Sequence, residues 1–263
     1  MGIQLDSTGI NDIYIGNTNI KKVLLGNIIV YQKQEVVTND YVKDSLFAYY
    51  DLTQFKLTDT SVTDLTGNGH NMEVSNVGSA IKDNKGGLNT KNSSIVIANY
   101  NMGFTPTNAT LEWFGMPNQV DSVVFENRCC GATGNNGTGY FAWIASNVNS
   151  KQARLVVFKN NTKLCEQFVT ANIPSNTPSH FAITFGDTEF KTYINGELVH
   201  TGSCNSNAGT NAVYLLATSV LASSAVNYSI NHTLYSARLY SRELSASEVS
   251  QNRQYEINKY NGN

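Results

Sequence analysis

Short runs of alternating apolar and polar residues, broken by Gly, Asn, Ser and Pro, occupy most of the chain. Alternation puts every second side chain on one face of a strand, so such runs predict half-buried β-strands. The first are Ile13-Tyr14-Ile15-Gly16-Asn17-Thr18-Asn19-Ile20 and, ten residues on, Val23-Leu24-Leu25-Gly26-Asn27-Ile28-Ile29-Val30. Each copy is a β-rich run, a Gly-Asn pair and further strand residues. Glycine inside a strand pattern marks a bend or turn, because it reaches positive φ at little cost. Two such units in roughly thirty residues cannot bury a core of their own, and isolated hairpins are marginal in water. Residues 1–33 are therefore expected to form a β-repeat module that completes its fold against a partner, a symmetry mate or the rest of this chain, with Tyr14, Gly16, Asn17, Gly26 and Asn27 as its marked positions.

The stretch 34–44 is polar and ends the alternation, which predicts a linker. From Ser45 short strands recur between turn residues at the spacing of a sandwich or jelly roll. They cover 46–50, 94–98, 110–115, 122–126, 140–144, 154–158, 180–185, 212–217 and 233–240, and a Gly-rich loop spans 131–139. Phe190 to His200 holds the cleanest local signal: Asn195-Gly196 between alternating runs is the preferred two-residue type I′ hairpin turn. One helix is predicted, at the end. Ser245-Ala246-Ser247-Glu248 is a capping box, Leu244 and Val249 form a hydrophobic staple, and Val249, Arg253, Ile257 and Tyr260 share a face expected to dock on the sandwich.

Composition sharpens this picture. The 263 residues can fold as one large β domain, or as one domain with a small appendage, and need no metal or disulfide staple. Only 14% are charged, against about 25% in an average soluble protein. Asn, Ser, Thr and Gly fill the difference and favour turns and strand faces over helix interiors. A net charge of −2 without a basic block argues against nucleic acid. No apolar run approaches the ~20 residues of a membrane span, and residues 1–6 carry no secretion signal. The four cysteines (Cys129, Cys130, Cys165, Cys204) have no C-x-x-C spacing and read as reduced thiols. Synthesis in a cytoplasm is expected.

From Ser45 to about Tyr260 the order of pieces resembles the concanavalin A-like (laminin-G-like) jelly-roll family. The matching pieces are the Trp113 strand, His180-Phe181-Ala182-Ile183-Thr184-Phe185 and the Asn195-Gly196 hairpin. The most specific is residues 237–249, where an Arg-aliphatic-Tyr strand (Arg238-Leu239-Tyr240) runs into Leu244-Ser245-Ala246-Ser247-Glu248. The resemblance implies an all-β, concanavalin A-like jelly-roll sandwich over 45–263 with one short C-terminal helix, preceded by a small β-hairpin adaptor. That fold carries lectins, glycosidases and inert interaction modules alike, so it does not fix function. The Gly-Asn units, with Ile20 to Tyr31 between and around them, are similar to short modules of tailed-phage tail and fibre proteins. This second resemblance implies a virion protein released by lysis.

A retaining glycosidase needs two carboxylates about 5–5.5 Å apart on one strand face. The family's catalytic pattern Glu-x-Asp-x-x-Glu is absent here: Glu112 stands alone, and Asp187 and Glu189 flank a turn as solvated charges. No enzyme is expected. Some relatives bind Ca²⁺ through loop oxygens, which makes Asp51, Asp64 and Asn68 the metal candidates, although Asx residues in Gly-rich loops usually form turns. The histidines at 70, 180, 200 and 232 lack ligand spacing. Sugar binding uses an exposed aromatic for the apolar ring face and amides for the hydroxyls. Trp143 and Tyr140, beside the loop carrying Asn135 and Asn136, fit that role, while Trp113 is expected in the core.

These features predict a phage virion protein whose N-terminal module binds other virion proteins. Its lectin-like body would recognise a host-surface glycan, with a homo-oligomer as the assembly and no cofactor beyond candidate Ca²⁺. The competing readings are a purely structural decoration protein and a bacterial carbohydrate-binding module without catalysis.

Overall fold

The Gly-Asn repeat folds as two separate hairpins. In the computed structural model, β1 (Ile13–Ile15) pairs with β2 (Thr18–Ile20), and β3 (Lys22–Leu25) with β4 (Ile28–Gln32), as two two-stranded sheets. Ile15 is in register with Thr18 and Leu25 with Ile28. The structure describes residues 13–15, 18–20, 22–25, 28–32, 40–91, 96–99, 102–104, 108–117, 122–128, 140–146, 152–159, 162–170, 176–203, 213–217 and 232–262. Gly16, Asn17, Gly26 and Asn27 thus lie outside the described residues. Tyr14 lies in β1, in register with Asn19. The chain divides into two units, residues 1–38 and 39–263.

In the second unit the strands are β5 (Leu46–Asp51), β6 (Ser61–Val62), β7 (Met72–Asn76), β8 (Ile81–Lys82), β9 (Leu88–Asn89), β10 (Val96–Asn99), β11 (Ala109–Pro117), β12 (Ser122–Arg128), β13 (Tyr140–Ser146), β14 (Gln152–Lys159), β15 (Thr162–Thr170), β16 (Ser179–Phe185), β17 (Glu189–Ile194), β18 (Glu197–Ser203), β19 (Val213–Ala217) and β20 (His232–Tyr240). The helix α1 (Ala246–Asn261) follows. One antiparallel sheet runs β18-β17-β16-β11-β20-β9-β8, with β5 also on β20; the other runs β15-β14-β13-β12-β19-β10-β7-β6. Together they make an antiparallel jelly-roll sandwich with one C-terminal helix.

Alternation explains what each face buries. In the first sheet Leu111, Trp113, Phe181, Ile183, Ala237 and Leu239 turn inward and meet Val62, Met72 and Ile97 of the second sheet. Trp113 is 1% exposed and stacks on Phe181, with centroids 5.3 Å apart. The intervening residues of β11, β16 and β20 face outward yet are also buried, because α1 covers that face. The Asn195-Gly196 turn has φ of 52° and 78°, the pair of positive values that a type I′ turn requires.

Three expectations need correction. Residues 40–44 are not linker but part of the sandwich unit: Val42 is 7% exposed and its N–H donates to Asn252 Oδ1 at 2.7 Å. The Tyr41 ring packs 5.0 Å from both Tyr49 and Tyr255. Polar neighbours masked this anchor in the sequence. Of the predicted helix face Val249 is buried, whereas Arg253, Ile257 and Tyr260 are only half-buried; the other buried residues of α1 are Asn252 and Glu256. Finally the sequence pattern predicts no strand at β6, β7, β8, β9 or β15: the first four are only two to five residues long, and the stretch 162–170 mixes Lys163 and Glu166 with its apolar residues.

Candidate functional site

The outer face of the first sheet carries a charged layer sealed beneath α1. The helix is set there by its sequence ends. Ser245 accepts from the Glu248 N–H while Glu248 accepts from the Ser245 N–H, and Gly262 closes the C-terminus at φ 82°. Arg242 clamps Glu248 at 2.6 Å and Asp44 at 2.7 Å, which fixes the entry into the helix. Below it, Arg238 of β20 pairs with Glu256, the two being 1% and 2% exposed. Its guanidinium carbon lies 4.8, 4.5 and 5.1 Å from the ring centroids of Tyr41, Tyr49 and Tyr255, an aromatic cage around a buried cation. Asn252 donates to Glu112 Oε2 at 2.6 Å and to the Tyr240 hydroxyl at 2.9 Å, and Tyr240 in turn donates to the Val42 carbonyl at 3.0 Å. The other Glu112 oxygen is 3.6 Å from His180 Nε2.

Burial sets the protonation of this layer. It pushes the Glu112 carboxyl up to about 8, against the pull of Arg238 and the Asn252 bond. Burial also lowers His180 to about 3, with the Arg238 and Arg253 charges acting the same way, and lowers His232 to about 3. Burial opposes the charge on Arg238 as well, yet Glu256 beside it holds it protonated. Folded Glu112 keeps its proton up to about pH 8, whereas the unfolded group releases it near 4.5, so its contribution is lost as pH rises between those values. The two histidines charge in the unfolded chain below 6.5 but stay neutral when folded, so they destabilise as pH falls through that window. Stability is therefore expected to peak near pH 6.5 and to fall by up to about 2 kcal/mol toward pH 8. Denaturant midpoints across that range check this, and Glu112→Gln should abolish the alkaline decline.

Of the residues expected to bind ligand, Tyr140 and Trp143 both lie in β13, three positions apart. Trp143 is in register with Phe125 of β12 and Leu155 of β14, and Tyr140 with Arg128. Asn135 and Asn136 lie outside the described residues. The three metal candidates are each engaged in local structure. Asp51 takes the Lys259 ammonium at 2.8 Å and accepts from Thr53 and Gln54. Asp64 accepts from the N–H groups of Tyr49, Thr66 and His70. Asn68 donates to the Leu46 and Phe47 carbonyls, whose strand it ties to the loop. All three act as turn and loop formers, and among the described residues no three His, Cys, Asp or Glu side chains gather as a metal site. Asp187 accepts from Asn108 at 2.7 Å and Glu189 pairs with Lys191 at 2.8 Å, both at the surface.

Sequence reading missed the Arg238–Glu256 and Glu112–Asn252 pairs. Their signal was present but split: Arg238 interrupts an apolar strand, and Asn252 and Glu256 continue the helical stripe that begins at Val249.

Residues 84–250 match the concanavalin A-like lectin/glucanases superfamily, in its laminin G-type branch. The chain belongs to that superfamily. No curated protein sequence matches it. Among solved structures, the binding domain of Paraclostridial Mosquitocidal Protein 1 is similar at TM-score 0.60 and 17% identity, covering 82% of this chain and 53% of that one. A Trypanosoma rangeli sialidase in complex with sialic acid gives 0.58 and 14%, covering 83% and 34%. Domain 4 of AbnA, an extracellular GH43 arabinanase of Geobacillus stearothermophilus, in complex with arabinotriose, gives 0.55 and 18%, covering 80% and 98%. The chain thus spans about a third of the sialidase and half of the toxin domain. At these identities the likeness is one of fold, a fold that enzymes and toxin binding domains share.

Proposed function

We propose that this superfamily member is a non-catalytic glycan-recognition protein of a tailed-phage particle. Its jelly roll contacts host-surface saccharide, and its N-terminal hairpins join it to other virion proteins as a homo-oligomer. The observation that carries the non-catalytic part is the state of its central acids. Glycoside hydrolysis asks for two carboxylates that reach substrate about 5–5.5 Å apart for retention, or further apart for inversion. Glu112 and Glu256 share one network but are 0% and 2% exposed, lie beneath α1, and are held by Asn252 and Arg238. The particle role is supported by residues 13–32, two two-stranded hairpins too small to bury a core alone.

Recognition is assigned to the β12–β15 meander of the second sheet, around Trp143. Trp143→Ala is expected to weaken glycan binding by at least about ten-fold, the loss of one aromatic platform, read on a glycan array with the full chain. Undiminished binding by that variant would remove Trp143 from the site. Mass spectrometry of purified particles tests the virion role: the chain should be found as a stoichiometric component, and its absence from particles would refute that role.

A further inference from the structure

On the first sheet's outer side, beyond the end of α1, an open cleft of about 330 Å³ lies between the helix C-terminus and the turn joining β8 to β9. Phe114 and Tyr235 form its floor, their centroids 5.6 Å apart and their rings 2% and 3% exposed. Tyr260, from the last turn of α1, stands edge-on to both, 5.8 and 5.1 Å away. Thr53, Asn84 and Lys85 line the mouth.

The cleft is built rather than incidental. Asp83 accepts from the Tyr235 hydroxyl at 2.6 Å and from the N–H groups of Lys85 and Gly87 at 2.9 and 2.7 Å, which clips the turn to the floor. Gly87 approaches so closely that a Cβ there would come 2.6 Å from the Thr233 methyl and collide with the Tyr235 ring. Any larger residue would displace the floor.

Two of its charges are paired. Glu256 is held by Arg238 and Lys259 by Asp51, and the Lys85 ammonium sits 5.1 Å over the Tyr260 ring and donates to the Tyr260 carbonyl at 3.2 Å. The Glu256 and Lys259 charges are thus taken, Lys85 meets only a ring face and a carbonyl, and the volume lies at the low end of ligand pockets, ~300–1,000 Å³. What remains open is the half-buried Tyr260 ring beside amide, hydroxyl and ammonium donors. A pyranose matches that surface, with C–H faces for the rings and hydroxyl oxygens for the donors.

We propose that this cleft is a second saccharide site, which takes one or two neutral sugar rings against Tyr260, with Asn84 and Lys85 bonding their hydroxyls. It shares the ligand class of the preceding reading but none of its residues. Saturation-transfer NMR with the full chain and three probes tests it: methyl β-D-galactopyranoside, methyl α-D-glucopyranoside and N-acetyl-D-glucosamine. At least one probe should bind the unaltered protein and Trp143→Ala equally. Binding should drop at least about ten-fold in Tyr260→Ala and Asn84→Ala. Asn84 is exposed in a turn, so its variant should melt like the parent, which separates lost contact from lost fold. Binding abolished by Trp143→Ala but untouched by Asn84→Ala and Tyr260→Ala would overturn this site and leave the recognition reading standing. Failure of all three probes to bind would overturn the cleft proposal, while array binding would still judge the other.

Discussion

Arg238→Met is expected to cost about 3–5 kcal/mol of folding free energy, the largest effect of any single substitution on this surface. The side chain is fully enclosed, so its removal strands the Glu256 carboxylate at 2% exposure with no counter-charge and empties the cage of Tyr41, Tyr49 and Tyr255. An unpaired buried carboxylate must either ionise against its desolvation or take up a proton, and both are unfavourable at neutral pH. The double variant Arg238→Met/Glu256→Leu removes both charges and should recover most of the loss, because a buried pair gains little over an apolar contact of similar volume. Chemical denaturation of the single and double variants checks this. A single-variant loss below about 1 kcal/mol would show that the ion pair does not hold α1 to the sheet.

Trp113→Ala should be nearly as damaging, again about 3–5 kcal/mol. Trp113 lies between the sheets, flanked along β11 by Leu111, with its ring stacked on Phe181 at an interplanar angle of 12°. Its loss opens a cavity between two sheets whose hydrogen-bonded ladders resist collapse, so both the transfer and the cavity costs apply. Trp143→Ala makes the useful contrast. As a recognition residue Trp143 should cost no more than about 1 kcal/mol when truncated, while glycan binding falls. Thermal melts of both variants distinguish the two tryptophans. A Trp143→Ala melt as low as that of Trp113→Ala would place Trp143 in the core.

The strands were legible where alternation was clean. Phe181, Ile183 and Phe185 announced β16, and Asn195-Gly196 announced the β17–β18 turn, because each signal is local and fixed by backbone sterics. Trp113 was correctly expected in the core. The helix ends were readable from Ser245 and Glu248 for the same reason. Its buried face was not, because the stripe that docks contains Asn252 and Glu256. Polar residues look solvent-facing until their partners are known, and those partners, Glu112 and Arg238, lie 140 and 18 residues away in the sequence. Residues 40–42 read as linker for the same reason: the bonds that hold them reach Asn252 and Tyr240. The loop positions Asp51, Asp64 and Asn68 showed the oxygen chemistry of a calcium site, but only the fold reveals that Lys259, backbone N–H groups and strand carbonyls already engage them. The cleft has the least sequence signal of all, since Phe114, Tyr235 and Tyr260 converge from two strands and a helix.

The account predicts recognition without chemistry, and one measurement addresses both halves. The full chain is incubated with a host-surface polysaccharide, captured with its bound glycan, and the glycan is released and weighed by mass spectrometry. Saturable capture with every saccharide recovered at its original mass is the predicted result. Fragments carrying new reducing ends, or no capture of any host glycan, would contradict it.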